Sequence, residues 1–139
     1  MSGEHFPVLW TGRAAVVTLP AEIDITVADK VSGELLSVLN QGATLLIADL
    51  STTTFCDSAG VAALVRTFRR AAAAESEMRL VIRTPALARI LAITGVDRVL
   101  DLYPTVSAAL AGPGGQPGQG GKIQAGNAAA IADAPKGSA

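Results

Sequence analysis

Residues 55–61 read Phe-Cys-Asp-Ser-Ala-Gly-Val, and Asp57 and Ser58 stand there directly before an apolar helical pattern. Both are natural helix N-cap residues, whose side-chain oxygens accept hydrogen bonds from the free N–H groups of a first turn. That structural role is sufficient on its own. The same position also offers a serine hydroxyl to another protein at the start of a helix. A phosphate placed on it would meet the positive end of the helix dipole, so the fold would tolerate it. It would also add about −1.5 to −2 charges beside Asp57 and towards Asp24. A partner docked on that patch would then face like charge, and such juxtaposition is strongly unfavourable at an interface.

The rest of the chain offers little to a catalyst. A serine nucleophile of the α/β-hydrolase kind sits in Gly-x-Ser-x-Gly, and Ser58 does not. The phosphate-binding patterns GxxxxGK[ST] and GxGxxG are absent. The one histidine, His5, lies near the N-terminus and reads as a surface residue, so no base can be nominated for Ser58. No catalytic residue, metal ligand set or cofactor is expected. The one cysteine, Cys56, excludes an internal disulfide. A redox role for it is conceivable, but no Lys or His stands near it in sequence to activate the thiol. Packing beneath the loop is the preferred reading. Thr52, Thr53 and Thr54 are competing hydroxyls, expected to serve the loop's own hydrogen bonds.

Composition narrows the class further. The 139 residues carry 11 Lys+Arg against 12 Asp+Glu, a formal net charge of −1. That balance argues against a nucleic-acid binder, which needs surplus cations to displace counterions from phosphates. Arg69 and Arg70 form the longest basic cluster, too short for a polybasic signal. Residues 1–9 lack a basic segment followed by an apolar one, and no apolar run approaches a bilayer span. The expectation is a soluble cytoplasmic protein with no membrane partner.

The elements that must position Asp57 and Ser58 alternate in type. Residues 14–19 form a β-branched run closed by Pro20 and read as a strand, paired with a short strand at 8–10 through Gly12. Residues 23–39 carry Val27, Val31, Leu35 and Leu39 at helical spacing, stopped at Asn40, Gln41 and Gly42. Residues 44–50 are apolar on both faces, as expected of a central strand under helices. Residues 51–55 read as a loop, 58–74 as a helix, 79–83 as a strand and 85–93 as a helix ending at Gly95. A strand at 99–102 and a helix at 105–110 complete the pattern. The order β-β-α-β-α-β-α-β-α predicts an α/β fold, a mixed, largely parallel sheet of four to five strands with about four helices. Loops leaving the carboxyl ends of its strands carry function, and two converge on that edge: one with Glu22 and Asp24, the other with Asp57 and Ser58. Residues 5–111 are expected to form one domain. Residues 112–139, opening Gly-Pro-Gly-Gly, hold too few large apolar groups to fold and are expected to be a disordered tail.

Three blocks resemble a known family. FCDSAGVAAL, residues 55–64, is similar to the phosphorylation-site signature of STAS-domain anti-sigma factor antagonists, in which Asp-Ser-(Ser/Thr/Ala)-Gly opens a helix. AEIDITVADKV, residues 21–31, resembles the family's Gly-Glu-(Ile/Leu)-Asp stretch before the first long helix. TLLIADLSTTTF, residues 44–55, resembles its central strand and following loop. The likeness runs over roughly residues 8–110. It implies a STAS-like fold and a chain that binds a serine-kinase anti-sigma factor, releasing a sigma factor to RNA polymerase. It further implies that the kinase phosphorylates Ser58 with ATP, ending the interaction, and that a serine phosphatase restores it. By the same motif match, Asp57, Ala59 and Gly60 beside the phosphoacceptor, and Glu22 and Asp24 on the adjacent loop, would make the contact with the kinase. Ala21 stands where the family often has Gly, and Ala59 where Ser or Thr is usual. The alternatives are a STAS interaction module that is never phosphorylated, within a larger sensory complex, and, less favoured, a small serine-dependent hydrolase.

Overall fold

The computed structural model describes residues 5–112. Its centre is built from three largely buried strands. β1 (Val8–Thr11) and β2 (Ala14–Thr18) form an antiparallel hairpin whose turn uses Gly12 at φ +61°. Before α1 (Ala28–Asn40), the short strand β3 (Glu22–Ile23) intervenes, followed later by β4 (Leu45–Leu50). The short strand β5 (Phe55–Cys56) leads into α2 (Ser58–Ala73), then β6 (Glu77–Ile82) and α3 (Pro85–Thr94). A 3-10 turn at Val96–Arg98, β7 (Asp101–Tyr103) and α4 (Val106–Ala111) complete the described chain.

The main sheet has five strands in the order β1-β2-β4-β6-β7, parallel throughout except at β1–β2. Strand parity divides its side chains between two layers. Ala15, Val17, Leu46 and Leu80 face the core under α1, α2 and α3, joined by Val31, Leu35, Leu64 and Leu91. Val16, Ile47, Val81 and Tyr103 face the other way, towards α4. β4 and β6 are thus apolar on both faces because both faces are covered.

The α4 layer is thin and contains a buried cation. Arg79 is 3% exposed; its Nη1 donates to the Ala109 carbonyl at 2.6 Å and its Nη2 to Glu77 Oε1 at 3.0 Å. Its guanidinium also lies 5.7 Å from the centroid of the Tyr103 ring. A buried guanidinium is tolerable only when its donors are met, and here they hold α4 onto β6.

The predicted architecture matches this fold. Boundaries differ where pairing overrides local pattern. The helix expected from residue 23 begins at Ala28, because residues 22–23 pair as β3 and Asp24 then turns the chain. The loop expected over 51–55 ends in β5. The strand expected at 99–102 lies at 101–103, after the 3-10 turn that follows Gly95 at φ 84°. The tail predicted for 112–139 falls outside the described residues apart from Gly112, where a Cβ would lie 2.9 Å from Tyr103 Cζ.

Candidate functional site

β2 and β4 are parallel neighbours, so the loops that follow them leave the same edge of the sheet. Those loops then pair with each other. β3 and β5 form a two-stranded parallel sheet, Glu22 opposite Phe55 and Ile23 opposite Cys56. The Asp57 amide extends the ladder by donating to Ile23 O at 3.0 Å, and the Thr54 amide donates to Ala21 O at 2.8 Å. Two segments distant in sequence become one rigid seam at the mouth of α2.

Asp57 caps α2 from the extended region, φ −89° and ψ −174°. Its Oδ1 accepts from the Gly60 amide at 3.0 Å and its Oδ2 from the Ile25 amide at 3.1 Å. One carboxylate therefore closes the helix start and ties the β3–α1 loop to it. Ser58 follows as the first residue of α2, with its side chain exposed. The Ser58 and Ala59 amides precede the first intrahelical bond, Val61 N to Asp57 O at 2.9 Å, and meet no acceptor among the described residues. The hydroxyl thus stands at the positive end of a helix of 16 residues.

Asp24 shapes the neighbouring loop. Its Oδ1 accepts from the Thr26 hydroxyl and, at 2.9 Å, from the Thr26 amide. These bonds hold its carboxyl below the usual carboxylate range, the hydroxyl contributing most. Its backbone oxygen accepts from Val27 and Ala28 and so starts α1. Glu22 is exposed on β3. Glu22, Asp24, Asp57 and Ser58 are therefore gathered on one edge, as expected from sequence.

Gly60 is buried. A Cβ there would lie 2.6 Å from Cys56 Sγ, 2.8 Å from Ile23 Cγ2 and 2.9 Å from Ile23 O. The glycine lets α2 press onto the β3–β5 seam and thereby supports the surface from beneath; Ala59 beside it is half-buried. Cys56 is 2% exposed, and burial, aided by the Asp57 charge, pushes its thiol up to about 11. That is the opposite of an activated thiolate. Thr53 is buried and its hydroxyl donates to Pro20 O at 2.8 Å; Thr54 donates to Ala21 O at 3.4 Å. Both therefore serve the loop. His5 hydrogen-bonds Glu34 on α1 at 2.7 Å.

Two residues of the site carry no signal of exposure in the sequence. Ile25 is 74% exposed and Phe55 is 46% exposed. Each reads as an ordinary core hydrophobe, and only the end of β3 at Ile23 and the outward face of β5 turn them to solvent. Among the described residues, no group of three His, Cys, Asp or Glu is placed to hold a metal, and no helix is long and apolar enough to cross a membrane.

The STAS domain family model matches residues 7–109. No curated protein matches the chain. Among solved structures, an anti-sigma factor antagonist from Mycobacterium paratuberculosis is 30% identical, with a TM-score of 0.71 over 76% of this chain and 90% of that one. A STAS-domain anti-sigma factor antagonist protein from Planctomyces limnophilus is 24% identical, TM-score 0.67, over 77% of this chain and 96% of that one. The Bacillus cell fate determinant SpoIIAA in its phosphorylated form shares the fold at 21% identity and TM-score 0.60, over 76% and 96%. With the family model spanning the described domain and an antagonist at that identity over most of both chains, this chain belongs to the STAS-domain anti-sigma factor antagonist family.

Proposed function

We propose that this chain is a cytoplasmic phosphorylation switch that binds a serine-kinase anti-sigma factor, frees a sigma factor by doing so, and is turned off by phosphorylation of Ser58. One observation carries the reading: Ser58 is exposed as the first residue of α2, while both oxygens of the adjacent Asp57 are engaged by backbone amides. The hydroxyl is free to accept a phosphoryl group, and the carboxylate beside it is a positioning group, not a base. In the transfer, the Ser58 oxygen bonds to the γ-phosphorus of ATP, the bond to ADP breaks, and the serine proton leaves to a base on the kinase. The product dianion lies at the helix N-terminus, so the fold retains it, while Asp57, Asp24 and Glu22 surround it with like charge. The kinase loses its grip through that repulsion, and a serine phosphatase resets the switch. Ile25 and Phe55 add exposed apolar area to the same docking face, with Ala59 at its rim. The chain itself is not an enzyme in this scheme and needs no cofactor, metal or nucleic acid.

Intact mass spectrometry tests this. The chain is incubated with each serine-kinase anti-sigma factor of its source organism and Mg-ATP. A gain of one phosphate that vanishes in Ser58→Ala supports the switch, and a gain that persists moves the site elsewhere. If Ser58→Glu binds the kinase as tightly as the parent, exclusion by charge is wrong. Hydrolase turnover abolished by Ser58→Ala would replace the scheme with an enzymatic one.

A further inference from the structure

A groove of about 310 Å³ runs between α1 and α2, lined by Ser32 and Leu36 from α1 and by Arg66, Arg69 and Arg70 from α2. All three arginines are exposed. Arg66 reaches Asp29 only at 3.8 Å, with the Asp29 side chain fully in solvent, a pair that water and salt largely screen. Among the described residues no carboxylate lies within 4.0 Å of Arg69 or Arg70. A chain whose net charge is −1 thus concentrates three guanidinium groups within five residues of helix, with only the exposed Asp29 against them.

Their placement relative to Ser58 follows from the helix repeat. Ser58, Ala62, Arg66 and Arg70 are spaced by four and fall on one exposed stripe of α2, with Arg69 beside it. At 1.5 Å rise per residue, Arg66 lies roughly 12 Å and Arg70 roughly 18 Å along the axis from the phosphoacceptor. The Ser58 end of this stripe is acidic, with Glu22, Asp24 and Asp57, and the far end is basic, with Asp29 of α1 between them against Arg66. Charge along the face is segregated, so a partner covering it has one favourable register.

We infer that the α1–α2 groove is a second contact for the protein that docks at Ser58, and that its occupant is an acidic segment of that partner carrying an apolar side chain for Leu36. This rests on the Ser58 reading for the partner's identity, and on groove chemistry for the segment's. Guanidinium forks take carboxylates bidentately, which favours Asp and Glu side chains over a diffuse anionic surface. The groove lies more than a Debye length of about 8 Å from Ser58 at physiological salt. Phosphorylation therefore leaves it intact: the site that reads the switch and the site that chooses the partner are separate.

Two measurements on the full chain test this. In the first, 15N-labelled protein is titrated with a short synthetic peptide of Glu, Asp and Leu at millimolar concentration. The expected result is shifts at Leu36, Arg66, Arg69 and Arg70 that weaken with added salt and vanish in R69E/R70E. No shift there, an equal shift with a Lys-containing peptide, or stronger shifts with inorganic phosphate alone would overturn the inference, the last in favour of a small-anion site. In the second, the kinase that modifies Ser58 is assayed on R69E/R70E. KM should rise about tenfold with kcat retained, the signature of lost electrostatic docking. The loss in binding should be the same in a Ser58→Ala background, which keeps the docking face and takes no phosphate, because distant sites add. An unchanged KM removes the kinase as occupant. If R69E/R70E does not fold, R69Q/R70Q replaces it. If no kinase modifies Ser58, the switch reading fails, while the peptide titration still decides the groove.

Discussion

Asp57 and Ile25 are joined by a hydrogen bond of 3.1 Å between a carboxylate and an amide 32 positions apart. The same carboxylate caps α2 through the Gly60 amide. Position of the β3–α1 loop and integrity of the helix start therefore depend on one side chain. Asp57→Ala is expected to lower stability by about 1 kcal/mol, the ordinary effect of losing an N-cap. It should also speed exchange of the Ile25 and Gly60 amides relative to the core. Asp57→Asn keeps an acceptor for only one of the two and should fall between. Hydrogen exchange with unchanged Ile25 protection in Asp57→Ala would refute the coupling.

Gly60→Ala tests the seam beneath the site. The new methyl overlaps Cys56 Sγ, Ile23 Cγ2 and the Ile23 carbonyl. Overpacking of this kind costs about 1–3 kcal/mol, offset by about 1 kcal/mol of improved helix propensity. Urea denaturation should therefore report a net loss. Adding Cys56→Ala removes the nearest overlap but leaves Ile23 O at 2.9 Å, so rescue should be partial. Complete rescue would place the whole clash at the sulfur.

A negative charge at residue 58 should leave the fold standing. Near the helix N-terminus a carboxylate gains roughly 0.3–1 kcal/mol, and repulsion from Asp57 acts against it. Ser58→Glu is expected to melt within a few degrees of the parent while losing the partner. A steep fall in Tm would mean that the hydroxyl holds the helix start together and is not free for another protein.

Cys56 should resist modification at neutral pH. Its thiol is buried and raised from 9.0 to about 11. The unfolded thiol ionises first as pH rises, so the folded state binds more protons between these values. Its contribution to stability is full below about pH 9 and is lost progressively as pH approaches about 11. Cys56→Ala should remove that part of the alkaline decline in denaturant midpoint. Labelling by iodoacetamide at pH 7.5 should track global unfolding; fast labelling of the folded chain would contradict the burial.

Much of this molecule is legible in its sequence. The runs at 14–19 and 44–50 announce strands, the first because it is β-branched and closed by Pro20, the second because it is apolar on both faces. Val27, Val31, Leu35 and Leu39 announce a helix because only a period near 3.6 brings them to one face. Asp57-Ser58 before the next such period locates a helix start, and a serine there is visible as a candidate acceptor from local chemistry alone.

The remainder belongs to pairing across the chain. β3 and β5 have two residues each, too few to show a period, and exist only because each supplies the other's hydrogen bonds. That pairing ends the β3 strand at Ile23, turns Ile25 outward and leaves no room for a side chain at residue 60 unless the seam shifts. Arg79 reads in sequence as a strand-end charge, and only the arrival of α4 buries it against Ala109. Arg66, Arg69 and Arg70 read as a solvated helix face until α1 supplies the opposite wall of their groove. Local pattern records what each segment prefers; which segments meet is decided by long-range contacts that leave no periodic trace in either one.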